Sequence, residues 1–552
     1  MRSRSAFGRF PYVAMCAKRK QTMEEENKNE SMPTPPPLPG QIYIRPGIDD
    51  RPDYEKTLTE EAKAALKRLA VQQNPRVPEA SNERPEVQAA RINAEGGSPL
   101  TAAAHLDAAV PNLESSFLDL RDPMTAPDGT TPDKTQVRRL MVGFTLGALL
   151  FTAPIAALNT VLVPQLVNRL AGGAVNDSVT SLAWLMGLGT VVTFFMNAWV
   201  AVGSDHTFGP LGRRMPWIIG GTLLTAASVA ILSACELIQL VGFFWLLTLV
   251  GYALVSMPLA AAFGERIPDK FRDRADAWRG IGLTVGQLVG VIVAVYGTWN
   301  ADASGWDGTT RSAILRFAIW FVVAGIVTLL VLPFEGTSTY MPREDVRKGS
   351  FFSQYRPPKG APKFFVAFAA RTFAVAAPAM IAVYQWYLVM NDVDSSGLQG
   401  FGLQGTGAGV AMMAVAAFVG SLLGATVLGR VSRAIEDSRI PAVAAIVLFI
   451  VAAVLPLVLE DTLLAVGLYA LIAGFAYVLY DGVSQSLNLA TVPDVRSVGR
   501  ALASFSLANT FGSLLGIIAG AIAVLAFGAY LSMFAVAIVF MLLAGVLTAL
   551  LK

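Results

Sequence analysis

Two charged residues stand where charge is costly. Arg371 and Asp481 each lie inside a long apolar stretch. A lysine, arginine or aspartate at the centre of a bilayer costs about 3 kcal/mol or more unless it is paired or wetted, so each marks a candidate site. Arg371 falls eight residues past Lys363, and Asp481 eight residues before Leu489. At about 1.5 Å per helical residue, both sit roughly 12 Å from the same membrane face. Opposite charges at matched depth can form an ion pair if their two helices share a wall. Asp481 is then the best carrier for a proton or cation, with Arg371 as its counter-charge. A static structural pair is the other reading.

A second cluster lies in one loop, Gly203-Ser204-Asp205-His206-Thr207-Phe208-Gly209-Pro210-Leu211-Gly212-Arg213-Arg214-Met215-Pro216-Trp217. Asp205 ends an apolar stretch, where it can face the positive N-terminal end of another helix, such as one starting near Ala501. Arg213 and Arg214 can pair with acids of a neighbouring loop, such as Asp269 or Asp273. Other chemistry is not encoded: there is no Walker loop, His-Glu-x-x-His or Gly-x-Ser-x-Gly. Two histidines and two cysteines, Cys16 and Cys235, offer no metal set and no disulfide framework. No enzyme activity and no resident cofactor are expected, beyond a proton or sodium ion as coupling ion. A net charge of +3 gives no reason to expect a nucleic-acid partner.

The elements that must position these residues are membrane helices. The 552 residues are 54% hydrophobic and 15% charged, with a mean hydropathy of +0.51. Soluble chains carry about 25% charged residues. Residues 1–139 hold 20 of the 43 basic and 20 of the 40 acidic residues, and this part has too few apolar side chains to offset ordering entropy. It predicts a disordered cytoplasmic tail over 1–137. A short helix is expected over 57–73, where Thr57 and Glu60 fit a capping box. Beyond it, ten stretches without Lys, Arg, Asp or Glu, from 140–168 to 462–480, are each about long enough to span a bilayer. An eleventh, 501–551, holds two helices with a turn near Gly528-Ala529. Twelve transmembrane helices are predicted. With the tail inside, inner loops carry 18 Lys or Arg, against Arg169 and Arg311 outside. The positive-inside rule then places both termini in the cytoplasm, and a plasma (inner) membrane is the default location.

The twelve spans read as two copies of six. Ile267-Pro268-Asp269 and Val492-Pro493-Asp494 are 225 residues apart, as are Arg214 and Arg439, and Pro216 and Pro441. Glycines repeat every fourth residue at Gly282, Gly286 and Gly290, and again at Gly512, Gly516 and Gly520. Such stripes let helix backbones approach closely. The expected fold class is an all-α membrane protein of two six-helix pseudo-repeat bundles, 138–334 and 363–552, joined by a cytoplasmic loop over 335–362. Two halves around a midplane site suit alternating access.

The loop motif resembles the signature between helices two and three of the major facilitator superfamily. Its Gly-Arg-Arg-x-Pro-Trp ending is most similar to the branch of glycoside–cation and sucrose–proton symporters. Arg371-Thr372 to Tyr387, and Tyr480-Asp481-Gly482 through Pro493-Asp494 to Arg500, also resemble members near that branch. The resemblance spans about 140–551. It implies a gating motif at Gly203, Asp205, Gly212, Arg213 and Arg214. The second-half copy has lost the Asp and the paired arginines. In that architecture helices one, four, seven and ten line the cavity. The implied candidates are Asn159, Tyr252, Ser256, Tyr384, Gln385, Trp386, Tyr480, Ser484 and Gln485, a set of amides, hydroxyls and rings suited to a sugar. Thr284, Gln287 and Asn509, on helices five and eleven, are expected to bond between helices instead. The expected function is proton-coupled uptake of a sugar or glycoside by a monomer in the lipid bilayer. Proton-coupled efflux of drugs or amphipathic metabolites stays open, as does a transporter-like sensor or scaffold.

Overall fold

The computed structural model describes Ala126 and residues 132–551, apart from 208, 299–305, 334–360, 395–404, 436, 460–461 and 492–497. The expected helix over 57–73 and the Val492-Pro493-Asp494 copy lie outside the described residues. Helix α1 runs Lys134–Ala157, passes through a π turn at Leu158–Leu162 and continues to Leu170. The others are α2 Val175–Asp205, α3 Met215–Leu232, α4 Ile238–Arg266, α5 Asp269–Thr298 and α6 Trp306–Val331. The second set is α7 Pro362–Asp392, α8 Gly405–Ala434, α9 Arg439–Val458, α10 Thr462–Ala490, α11 Val498–Phe527 and α12 Ser532–Ala549. All twelve are long and apolar enough to cross a membrane. Helices satisfy their own backbone groups, which hydrocarbon cannot do.

The start of α1 follows capping chemistry rather than the limit of its charge-free stretch. Helix α1 starts six residues before the stretch at 140, where the Asp133 N–H donates to Gln136 Oε1 at 3.3 Å and Asp133 Oδ2 accepts from Thr135 at 2.7 Å. Pro164 lies two residues past the π turn, so the turn it disturbs is the π turn itself. A proline deletes one backbone donor and crowds the preceding turn, a recognised cause of such irregularity. The predicted turn near Gly528 is present: Gly528 has φ +71°, a conformation open to glycine at little cost.

The packing repeats itself. In the first set α1 contacts α5, α3 contacts α4, α2 contacts α4, α3 contacts α6 and α1 contacts α6. Adding six to each label gives α7–α11, α9–α10, α8–α10, α9–α12 and α7–α12, all of which are in contact. Of the contacts between sets, α2–α11 and α5–α8 exchange under the same operation, and α1–α7 maps onto itself. This is a two-bundle, pseudo-twofold arrangement. The glycine stripes give its register. A methyl group at Gly282 would lie 2.5 Å from the Thr145 carbonyl oxygen, and one at Gly512 2.6 Å from that of Thr372. Gly286 and Gly516 abut the carbonyls of Leu149 and Ala376 in the same way. Both pairs give an offset of 227 residues between α1 and α7.

Candidate functional site

Helix α7 brings Arg371 against α10 and α11. Its Nη2 pairs with Asp481 Oδ1. Its Nη1 donates to Ser484 Oγ at 2.6 Å and its Nε to Asn509 Oδ1 at 2.9 Å. Ser484 Oγ in turn donates to the Asp481 backbone oxygen at 3.0 Å. Arg371 is 3% exposed and Asp481 1%. Spacing forces this meeting: Asp481 and Ser484 are i and i+3, hence on one face of α10. The close α7–α11 approach over Gly512 then puts Asn509 beside the guanidinium. Each arm of the guanidinium has an oxygen partner, which is how a buried cation is tolerated. Asn509 bonds between helices, whereas Thr284 donates to Gly280 on its own helix at 3.0 Å.

The candidate wall residues are distributed unevenly. Tyr384 is fully buried and donates to the Ile517 carbonyl of α11 at 3.0 Å, so its hydroxyl is committed to helix packing. Trp386, Tyr480 and Ser484 are buried too. Tyr252, Ser256 and Gln385 are half-buried, and Asn159, in the π turn of α1, is exposed. Gln485 lies on α10, and its side chain is outside the described residues.

At the end of the molecule that carries the basic loops, Arg214 is 0% exposed. It lies 2.5 Å from Asp205 Oδ1 and 2.5 Å from Glu265 Oε1, and its Nη1 also meets Ser204 Oγ. Arg213 shares Glu265, at 3.0 Å. The loop ends on the Trp217 indole, which donates to Thr207 Oγ1 at 2.7 Å and covers Gly203. Glu265 corrects the expectation that Asp269 would serve the arginines: Asp269 pairs with Arg272 on its own helix at 2.9 Å. The physical reason is reach. Glu265 is in the last turn of α4, beside α3, whereas Asp269 opens α5 and is largely exposed. Glu265 ends the charge-free stretch 237–264, which was the signal in the sequence. The start of α11, proposed to face Asp205, has no described side chains over 498–504.

Sequence reasoning also passed over α5. Helix α5 buries Asp276 and Arg279, 3.8 Å apart. Arg279 lies over the Phe263 ring at 5.3 Å.

Comparison with known protein families gives no match, and no curated protein matches the chain. Solved structures do. A bacterial homologue of the human lysosomal transporter Spinster, inward-facing and unoccupied, superposes with TM-score 0.55 at 16% identity, over 76% of this chain and 98% of that one. The nucleoside transporter NupG superposes with TM-score 0.55 at 13% identity, over 75% and 98%. The chain shares the fold of these two transporters. At such identities the likeness carries the architecture, and substrate must be argued from this chain's own residues.

Proposed function

We propose that the chain is a secondary active transporter working by alternating access, and that it imports a sugar or glycoside with a proton. The observation that carries this reading is the buried Arg371–Asp481–Ser484–Asn509 network. A membrane protein retains a buried ion pair at a cost in stability, and function is the common return. Asp481 is the proposed proton acceptor. Arg371 is its counter-charge, and Ser484 and Asn509 hold the guanidinium when the carboxylate is neutralised. The half-buried Tyr252, Ser256 and Gln385, with the exposed Asn159, supply uncharged polar groups suited to hydroxyls. The arginines of the loop cluster are proposed gate elements that fasten the basic ends of α2, α3 and α4 together. By the positive-inside rule those ends face the cytoplasm, with a plasma membrane as the proposed location.

The test is reconstitution into liposomes with radiolabelled sugars, with and without an imposed proton gradient. Gradient-driven accumulation supports the reading. Absence of sugar uptake, with proton movement triggered by hydrophobic compounds, replaces it with efflux.

A further inference from the structure

At the end opposite the basic loops, the two bundles are joined by a hydrogen bond that crosses 223 residues of sequence. The Tyr387 hydroxyl of α7 donates to the Pro164 carbonyl oxygen of α1 at 3.0 Å. Tyr387 is fully buried. Its ring is held edge-on against Tyr530 at 6.0 Å, and the α7 end is tied down where Asp392 Oδ2 accepts from the Leu531 N–H at 2.8 Å. One turn further along α1, the Asn168 amide donates to Met390 Sδ at 3.7 Å. Ser178 orients that amide by donating to its oxygen at 3.0 Å. A third crossing sits between α5 and α8, where a methyl group at Gly407 would lie 3.0 Å from the Val295 side chain. By contrast, the ion pairs described above for Arg213 and Arg214 all stay within the first bundle.

We infer that Tyr387 and Pro164 form a latch that holds the non-basic end of the pathway shut, with Asn168–Met390 as its second catch. The inference rests on the alternating-access reading, because a latch between bundles has a role only if the bundles part. The chemistry suits a switch. When the bundles separate, a hydroxyl and a carbonyl are left for water to solvate, so the bond breaks without stranding a charge. Tyr387 is therefore a positioning residue for the closed state and not a substrate ligand. Tyr384, one helical turn away, is the internal control. Its hydroxyl also donates to a carbonyl at 3.0 Å, but within one bundle.

The test uses the full chain in lipid nanodiscs, with Cys16 and Cys235 replaced by serine and a reporter introduced as Val295→Cys. Val295 is buried at the α5–α8 crossing, so its modification by a membrane-impermeant maleimide reads the fraction of time this end is open. Loss of one such hydrogen bond shifts an equilibrium about five-fold. Tyr387→Phe is expected to speed labelling by about that factor, and Tyr384→Phe to leave it unchanged. Equal rates in Tyr387→Phe and its parent overturn the inference, as does equal acceleration by both variants. If Tyr387→Phe does not fold, Asn168→Leu carries the same test, with acceleration expected and an unchanged rate contradicting the latch. Labelling needs no solute. A Tyr387-dependent rate in a protein that moves no solute would keep the latch and remove the transport reading. Loss of Tyr387 dependence with transport intact would do the reverse.

Discussion

Arg214 and Arg439 occupy repeat-related positions 225 residues apart, yet their surroundings differ. Arg214 is completely buried between Asp205 and Glu265, two acids from two other helices. Arg439 is about one-third exposed and folds onto Asp437, two residues back, at 2.8 and 2.6 Å. That neighbouring guanidinium holds the Asp437 carboxyl below the usual carboxylate range. Deeper in the bundles the asymmetry is reversed. The register of the glycine stripes puts Phe144 of α1 opposite Arg371 of α7, and Arg279 of α5 opposite Asn509 of α11. The second bundle thus draws its buried cation from α7 and solvates it with oxygens. The first draws it from α5, pairs it with Asp276 at 3.8 Å on the same helix and lays it over Phe263, which meets Phe144 edge-on at 5.4 Å and 84°. One scaffold, used twice, carries an ionic staple at the end of one copy and an ionic network in the middle of the other. Helix packing is the duplicated property, and charge placement has diverged.

The largest effect that could break this comparison is at the network. Asp481→Asn takes the counter-charge from Arg371 and leaves Ser484 and Asn509 to hold it, and is expected to cost about 3 kcal/mol, read as lost thermal stability in detergent. The charge-free double variant Arg371→Leu with Asp481→Leu should recover most of it. Glu265→Gln comes next, at about 1–3 kcal/mol, because it removes the acid shared by Arg213 and Arg214. Arg279→Lys is expected to cost about 1 kcal/mol, the difference between a flat guanidinium on a ring and a compact ammonium. Asp437→Asn is the smallest and should leave the melting temperature unchanged, since exposed pairs contribute little. The depressed pKa of Asp437 gives the sign: its contribution is present at neutral pH and is lost as pH falls through the folded-state value. Equal costs at Glu265 and Asp437 would remove the distinction between the two copies.

The twelve spans, the turn at Gly528 and the repeat were legible in the sequence, because hydrocarbon imposes length and polarity on every span. The Arg371–Asp481 meeting was legible from matched depth together with the cavity-lining helices that the family resemblance implies, since few charges occur in the apolar stretches. Asn509 was foreseen as a link between helices, but its partner Arg371 was not, because that contact depends on how closely glycine lets α11 approach α7. Glu265 was hidden at the limit of a stretch, and Asp276 and Arg279 among the loop charges that open α5. Linear sequence gives no sign that α5, exposed or half-exposed over 269–274, buries Asp276 and Arg279 directly after. The Tyr387–Pro164 bond could not be read at all, because its acceptor is a main-chain carbonyl.

The central claim is that Asp481 couples a proton to solute movement. The most direct measurement compares solute counterflow with gradient-driven accumulation in liposomes, for the parent protein and the paired variant Arg371→Gln with Asp481→Asn. That variant keeps hydrogen-bonding side chains and removes both charges. The account predicts that counterflow persists and that proton-driven accumulation is lost. Accumulation that survives in the paired variant would contradict it.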